Sequence, residues 1–488
     1  MAITRMRTHA SLANLADEFA TIRSNAGITD GYSQEAFFEA EAGGADKDPG
    51  HIRDHRSDLT DIPFVTIDPP GAKDLDQAVA IEDRGDGWLV RYAIADVGAH
   101  VVPGGAIDRD SRERVETVYG PDTRIGLHPP ALAEGYGSLL AGQRRKAVVW
   151  TMAVQGDGTL DNVEIERSWV QSRAQYTYTE LSEAPPDEAT DLLARMRHLG
   201  DARRALAKSR GAVTLPKPSQ EVVVRDGLVT LEFQSPLPLE DDNAHISLLT
   251  GEAAASVMLD GGSGILRTMP PASKASVRRL RHQAAALGVQ WRKSDSYFDV
   301  VHSLDHNAPG TPAFLASAIK LFRGARWEAF VDGTEFSRPE SLTHGALAVP
   351  YAHVTAPLRR LVDRYATEFC LAHAHGREVP QWAREAVPWI GQTMAHGVRV
   401  NARAERASVD AIEAAMLQGR EGEQFQGVGI DDRTVQIASP AIVARCKGGV
   451  EEGEIQTIVL ESARPLEGPI FRVATPEAAP SPDSSTQK

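Results

Sequence analysis

The chain has 488 residues, 42% of them hydrophobic and 24% charged, which is enough apolar material for cores in about three domains. Its formal net charge of −15 excludes a large, uniformly basic face that grips a nucleic-acid backbone by counterion release, though not a locally positive channel. The two cysteines, Cys370 and Cys446, are too few for a metal knuckle or a disulfide framework, and no stretch approaches the roughly 18 apolar residues of a membrane span, so the expectation is a cytoplasmic protein.

Residues 1–57 read as a small helical module. Leu12, Leu15, Phe19 and Ile22 form one helical stripe, Asp30-Gly31 breaks it, and a second helix starts at Ser33 and carries Phe37 and Phe38. The pair fits a helix-turn-helix unit or a cap on the domain that follows. The segment Thr66-Ile67-Asp68-Pro69-Pro70-Gly71-Ala72-Lys73-Asp74-Leu75-Asp76-Gln77 then packs three carboxylates into nine positions. Crowded like charges repel, and a fold that converges them usually does so around a hard divalent cation. Asp74 and Asp76 are spaced i, i+2, which on an extended segment turns both to one face, and the Pro-Pro-Gly turn brings Asp68 back toward them. The chemistry expected of such a cluster is Mg²⁺-assisted attack on a phosphodiester; the other reading of the same residues is a solvated acidic loop.

Further along, residues 88–95 and 147–154 are strand-like, while 192–206, 246–260, 274–287, 312–331, 358–375 and 391–417 carry helical spacing. Strands first and helices later give an α+β class, with helices wrapping a sheet. Arg278-Arg279-Leu280-Arg281, Lys320 to Arg326 and Arg359-Arg360 are local positive clusters in an acidic chain, each of which could equally be a solvated helix face. From about Glu423 short strands at 434–437, 441–445 and 455–460, separated by glycines, predict a small barrel. From about Thr475 the Pro/Ser-rich end predicts disorder. No H-E-x-x-H or C-x-x-C occurs, and His373-Ala374-His375 has no partner at zinc spacing, which argues against a zinc hydrolase.

Five blocks, in order, resemble the catalytic RNB domain of the ribonuclease II and ribonuclease R family. They are the aspartate cluster; Ile94-Ala95-Asp96-Val97; the Val118-Tyr119-Gly120-Pro121 turn leading to Ser138-Leu139; Tyr351 through Pro357-Leu358-Arg359-Arg360 to Asp363; and Asn401-Ala402-Arg403-Ala404-Glu405-Arg406. The resemblance implies an RNB catalytic domain, a sheet wrapped by helices, over 58–420. It is flanked by the helical module at 1–57, where relatives carry cold-shock barrels, and by an OB-fold RNA-binding domain at 421–474, with a disordered tail at 475–488.

The activity implied is that of a Mg²⁺-dependent hydrolytic exoribonuclease. It would degrade RNA from the 3′ end to nucleoside 5′-monophosphates, as a monomer that takes single-stranded 3′ ends into a channel and touches no membrane. By the same resemblance Asp68, Asp74 and Asp76 hold one or two Mg²⁺ ions, with Mn²⁺ as a substitute. Asp76 matches the aspartate on which cleavage most depends, Asp74 shares the catalytic work, and Arg359 matches the arginine that clamps the phosphate. Tyr178 aligns with a tyrosine that packs on the terminal nucleotide, and Glu405 with a glutamate that contacts it. Gln77 stands where relatives have a fourth aspartate, and Met269-Pro270-Pro271 where a second aromatic is expected. These departures keep a second reading open, a catalytically weakened RNB protein that binds RNA.

Overall fold

The computed structural model describes residues 12–47, 50–52, 55–213, 219–225, 228–234, 236–304, 311–319, 321–331, 342–438 and 440–474. The tail expected at 475–488 and the first residues of the N-terminal module lie outside them.

Helix α1 (Ala16–Ala26) stops at Gly27, which takes the left-handed φ of 73° that suits a residue without Cβ. Helix α2 (Gln34–Glu41) is capped by Ser33, whose side chain accepts the Ala36 N–H. Its buried face is Ala36 and Ala40, while Phe37 and Phe38 stay 46% and 62% exposed.

The central sheet uses β1 (Ser57–Asp58), β2 (Val65–Asp68), β3 (Gln77–Arg84) and β4 (Gly87–Ala95). After α3 (Ala106–Arg114) and a small hairpin of β5 (Val118–Tyr119) and β6 (Arg124–Ile125) come β7 (Arg144–Val154), β8 (Leu160–Gln171) and β9 (Ala174–Thr177). The order is β1-β8-β7-β4-β3-β2-β9, antiparallel apart from the β1–β8 and β2–β9 pairs. Strand alternation divides the core in two. Val79, Ile81, Tyr92, Ile94, Val148, Trp150 and Met152 point to a face packed by helices. Ala78, Ala80, Ala93, Ala95, Ala147 and Val149 point to the other, against Ala36, Ala40, Ile107 and Leu139. Helix α2 packs chiefly on α3 at that face, with its alanines and not its phenylalanines buried.

Helices α4 (Tyr178–Glu183), α5 (Thr190–Arg210) and α6 (Pro238–Asp260) follow, with hairpin β10 (Ser219–Arg225) and β11 (Leu228–Gln234) between the last two. Next come β12 (Gly264–Thr268), α7 (Lys274–Ala286), α8 (Tyr297–His302), α9 (Thr311–Ile319) and β13 (Arg326–Phe330). The single helix expected over 312–331 is therefore two elements: Gly324 takes a φ of 84° and Arg326–Phe330 pairs antiparallel with β12. A remote strand partner, invisible to local periodicity, outcompetes helical spacing there. The domain closes with β14 (Thr343–His344), β15 (Val349–Pro350), α10 (Leu361–Ala374), α11 (Gln381–Arg384) and α12 (Val387–Leu417). Strands β16 (Gln424–Asp431), β17 (Thr434–Ile437), β18 (Ile442–Lys447), β19 (Ile455–Arg464) and β20 (Gly468–Val473) form a closed barrel in the order β16-β17-β18-β20-β19, as the OB-fold expectation requires.

Candidate functional site

Asp68 is the last residue of β2, and the chain turns back at once through Pro69-Pro70-Gly71, with Gly71 at φ 80° and the Ala72 N–H donating to the Pro69 carbonyl at 3.2 Å. The return segment is extended and tied down from both sides. Leu75 is fully buried in the alanine-face core. Its N–H donates to Ser138 Oγ at 2.9 Å, the same hydroxyl donates to the Lys73 carbonyl at 2.6 Å, and the Leu139 N–H donates to the Leu75 carbonyl at 3.0 Å. Because Leu75 points into the core, the side chains of Asp74 and Asp76 leave on the opposite side, as their spacing predicts.

Facing them is the loop before α10. The Leu358 N–H donates to Asp76 Oδ1 at 2.7 Å, and Arg359 Nε lies 3.6 Å from Asp76 Oδ2. The Arg359 side chain is 42% exposed against 6% for Asp76, so its guanidinium forms an accessible wall over a buried carboxylate. Arg360 goes the other way, pairing with Asp363 at 3.0 and 2.8 Å.

Burial pushes Asp76 up to about 8 and Asp68 up to about 7, with Arg359 opposing both rises and the Asp74 charge adding to them. Asp74 is likewise raised by burial and held back by Arg124. Asp68 Oδ2 and Asp76 Oδ2 are buried and, among the described residues, accept no hydrogen bond. Asp74 forms a close ion pair with Arg124, which also reaches Glu134 at 3.3 Å. Among the described residues no three His, Cys, Asp or Glu side chains stand as a ready-made metal cage. The expected triad of ligands is thus two carboxylates that each keep one buried oxygen without a hydrogen bond, plus a third that a guanidinium neutralises. Buried, unpartnered carboxylate oxygens are the hard donors that Mg²⁺ or Mn²⁺ takes, so the residues present fit a divalent ion.

Gln77 has other work. Its amide donates to the Thr355 carbonyl at 2.7 Å, and its carbonyl oxygen accepts from the Tyr92 hydroxyl, which bolts β3 to the Arg359 loop. Tyr178 stands at the start of α4, leans on the helix-face core and accepts from Asn243 Nδ2 at 2.7 Å; burial raises its hydroxyl to about 12, with the Asp68 charge contributing. Glu405 projects from α12 to accept the Tyr119 N–H at 3.4 Å.

Two residues of this neighbourhood escaped the reading of the sequence. Tyr119, seen there only as part of a turn, carries a ring that is 49% exposed, and its hydroxyl senses the charges of Arg359, Asp74, Arg124 and Asp76. Arg124 is its cross-strand partner in the β5–β6 hairpin, with the guanidinium 5.9 Å from the Tyr119 ring. The signal was a short turn between two potential strand residues, which puts them side by side.

Residues 56–373 match the model of the RNB domain. The chain is 33% identical over 411 residues to Exoribonuclease 2 of Yersinia pestis (strain Pestoides F), covering 75% of this chain and 58% of that protein. It is 26% identical over 401 residues to Ribonuclease R of Aquifex aeolicus (strain VF5), covering 76% and 54%. The chain therefore spans little more than half the length of these relatives. Its fold matches the apo form of Mycoplasma genitalium RNase R with a TM-score of 0.81 at 19% identity, over 94% of this chain and 78% of that one. Yeast Ssd1, described as a pseudonuclease, shares the fold with a TM-score of 0.68 at 14% identity, over 91% and 58%.

Proposed function

Because the chain belongs to the RNB-domain family, we propose that it is a hydrolytic exoribonuclease that shortens RNA from the 3′ end and releases nucleoside 5′-monophosphates. The observation that carries this reading is the pair of buried oxygens on Asp68 and Asp76 that accept no hydrogen bond, with the accessible guanidinium of Arg359 beside Asp76. Asp68, Asp74 and Asp76 would hold Mg²⁺, which when bound supplies the charge that acidifies a water and polarises a phosphate. Gln77 is committed to Tyr92 and Thr355, which favours one ion over two.

The chain's own groups do the rest. Arg359, delivered by a loop whose Leu358 N–H grips Asp76, has a fork of donors suited to two phosphate oxygens and to charge that grows on them during cleavage. Its distance of 3.6 Å from Asp76 leaves it free to turn toward a phosphate. Tyr119 offers an open face for the terminal base, and stacking of that kind contributes about 1–3 kcal/mol regardless of base. Tyr178, whose ring rests on the core, contributes its hydroxyl beside Asp68 as a contact to the sugar end of the nucleotide. Glu405 sits beside Tyr119 at the same end. The substrate on this reading is a single strand, and the compartment is the cytoplasm, where the buried free thiols of Cys370 and Cys446 stay reduced.

A 5′-labelled single-stranded RNA incubated with Mg²⁺ tests the reading by stepwise shortening of the labelled strand and release of monophosphates. Asp76→Asn should lower the rate by at least about 10³-fold, the scale of losing a group that acts in the transition state, while RNA affinity stays within a few fold. Tight binding by the unmodified protein without any turnover would instead favour a weakened, RNA-binding member of the family.

A further inference from the structure

The N-terminal helical module is bonded to the hairpin that carries Tyr119 and Arg124. Arg23 on α1 is 9% exposed and places Nη1 at 2.9 and 3.0 Å from the two carboxylate oxygens of Asp122, at the tip of the β5–β6 hairpin, while its Nε pairs with Asp30 at 2.9 Å. Tyr32, between α1 and α2, puts its hydroxyl within 2.9 and 2.8 Å of the Gly126 and His128 carbonyl oxygens, just beyond β6. The Arg114 guanidinium lies over the Tyr32 ring at 4.3 Å and holds it in place.

The module is itself immobilised on the helix that supplies Glu405. Phe19 and Ile22 of α1 pack with Ala404, Ala411, Ile412 and Met416 of α12. Between module, hairpin and α12 lies a cavity of about 270 Å³ lined by Val118, Ile125, Asn401 and His396 among others. The hairpin borders this cavity, and directional contacts from Arg23 and Tyr32 join those of Thr117, Tyr119 and Arg124 in setting its position. From the hairpin the effect reaches the site directly, since Arg124 pairs with Asp74 and the Tyr119 N–H donates to Glu405.

We propose that Arg23 and Tyr32 are positioning residues for the reaction: they hold the Tyr119–Arg124 hairpin against the carboxylates, so the N-terminal module is a wall of the site. The inference rests on the reading of that site as RNA-cleaving. It assigns the module a task that a separable RNA-binding arm would not have.

The test uses the full chain with R23Q, D122N, the double variant R23Q/D122N and Y32F, which keeps the ring under Arg114 but removes the hydroxyl. Hydrogen exchange should rise at amides 117–126 in every variant and stay unchanged in β3 and β4. On labelled single-stranded RNA, kcat/KM should fall about tenfold, mainly through KM, the scale of one weakened base stack. The double variant should be no worse than R23Q alone, because D122N removes a contact that R23Q has already lost. Unchanged exchange in the hairpin would overturn the proposal, as would raised exchange with wild-type kcat/KM, or losses that simply add in the double variant. If the wild-type chain cleaves no RNA, the reading of the site fails and the proposal with it, and the exchange arm then shows whether the clamp itself exists.

Discussion

Two consecutive arginines meet opposite fates here. Arg360 turns in against Asp363 and is 17% exposed, and Arg359 stays open above Asp76. The difference comes from the backbone of their loop, pinned by the Leu358 N–H on Asp76 and by the Thr117 N–H on the Arg359 carbonyl at 3.0 Å. The carboxylates opposite carry a pH signature. With folded values of about 7 for Asp68 and about 8 for Asp76, above the ordinary 3.8, each binds a proton when folded that the unfolded chain has already lost. The contribution of these two carboxylates to the stability of the metal-free protein should therefore be greatest in mild acid, fall as pH rises from about 4 to about 8, and level off beyond. A divalent ion must displace those protons, so its affinity should climb across about pH 6 to 8 and then plateau. Calorimetric Mn²⁺ titrations in buffers of different ionisation enthalpy measure both the affinity and the protons released; a flat affinity over that range would contradict the proposed ligands.

At the level of elements, several residues with a catalytic look turn out to be fasteners. Asp96, in the Ile-Ala-Asp-Val block, accepts Arg56 at 2.7 Å and Arg167 at 3.0 Å, and these guanidinium groups hold its carboxyl well below the usual range despite burial. Ser138 fixes the aspartate loop to its core residue, Leu75. Arg406, in the Asn401–Arg406 block, joins α12 to the barrel with Glu413: its Nη2 lies 3.1 Å from Glu413 Oε2, and Glu413 Oε1 accepts the Val443 N–H at 2.9 Å and Gln220 Nε2 at 2.8 Å. Glu413→Ala would leave the Val443 N–H unserved, while Arg406 keeps Asp410 and Gln220 keeps the Ala441 carbonyl, and should lower stability by about 2 kcal/mol. Glu413→Gln, which keeps acceptor oxygen in place, should lose less. Urea unfolding of the two variants compares them directly.

At the scale of the whole molecule, the proposed RNA substrate would meet an acidic chain through few positive groups. Arg359 and Arg124 face the carboxylates within a protein of net charge −15. Few neutralised phosphates mean weak salt dependence. Binding of a short RNA to the Asp76→Asn variant should show a slope of about −1.4 in log affinity against log salt, two phosphates at about −0.7 each for a single strand. A slope steeper than about −5 would mean a long basic track along the strand. Among the described residues no helix is long and apolar enough to cross a membrane.

The α+β class, the aspartate loop, its same-face pair and the C-terminal barrel were legible in the residues alone, because each rests on short-range rules: strand alternation, turn chemistry and side-chain direction. Only the tertiary structure decided which arginine of the pair is open, that Asp74 meets Arg124, that Gln77 is spent on Tyr92 and Thr355, and that residues 326–330 form a strand. Each of those outcomes depends on a partner far away in the chain, between 15 and 278 positions for the two Gln77 bonds, and a local pattern holds no information about which distant group will fill a given bond.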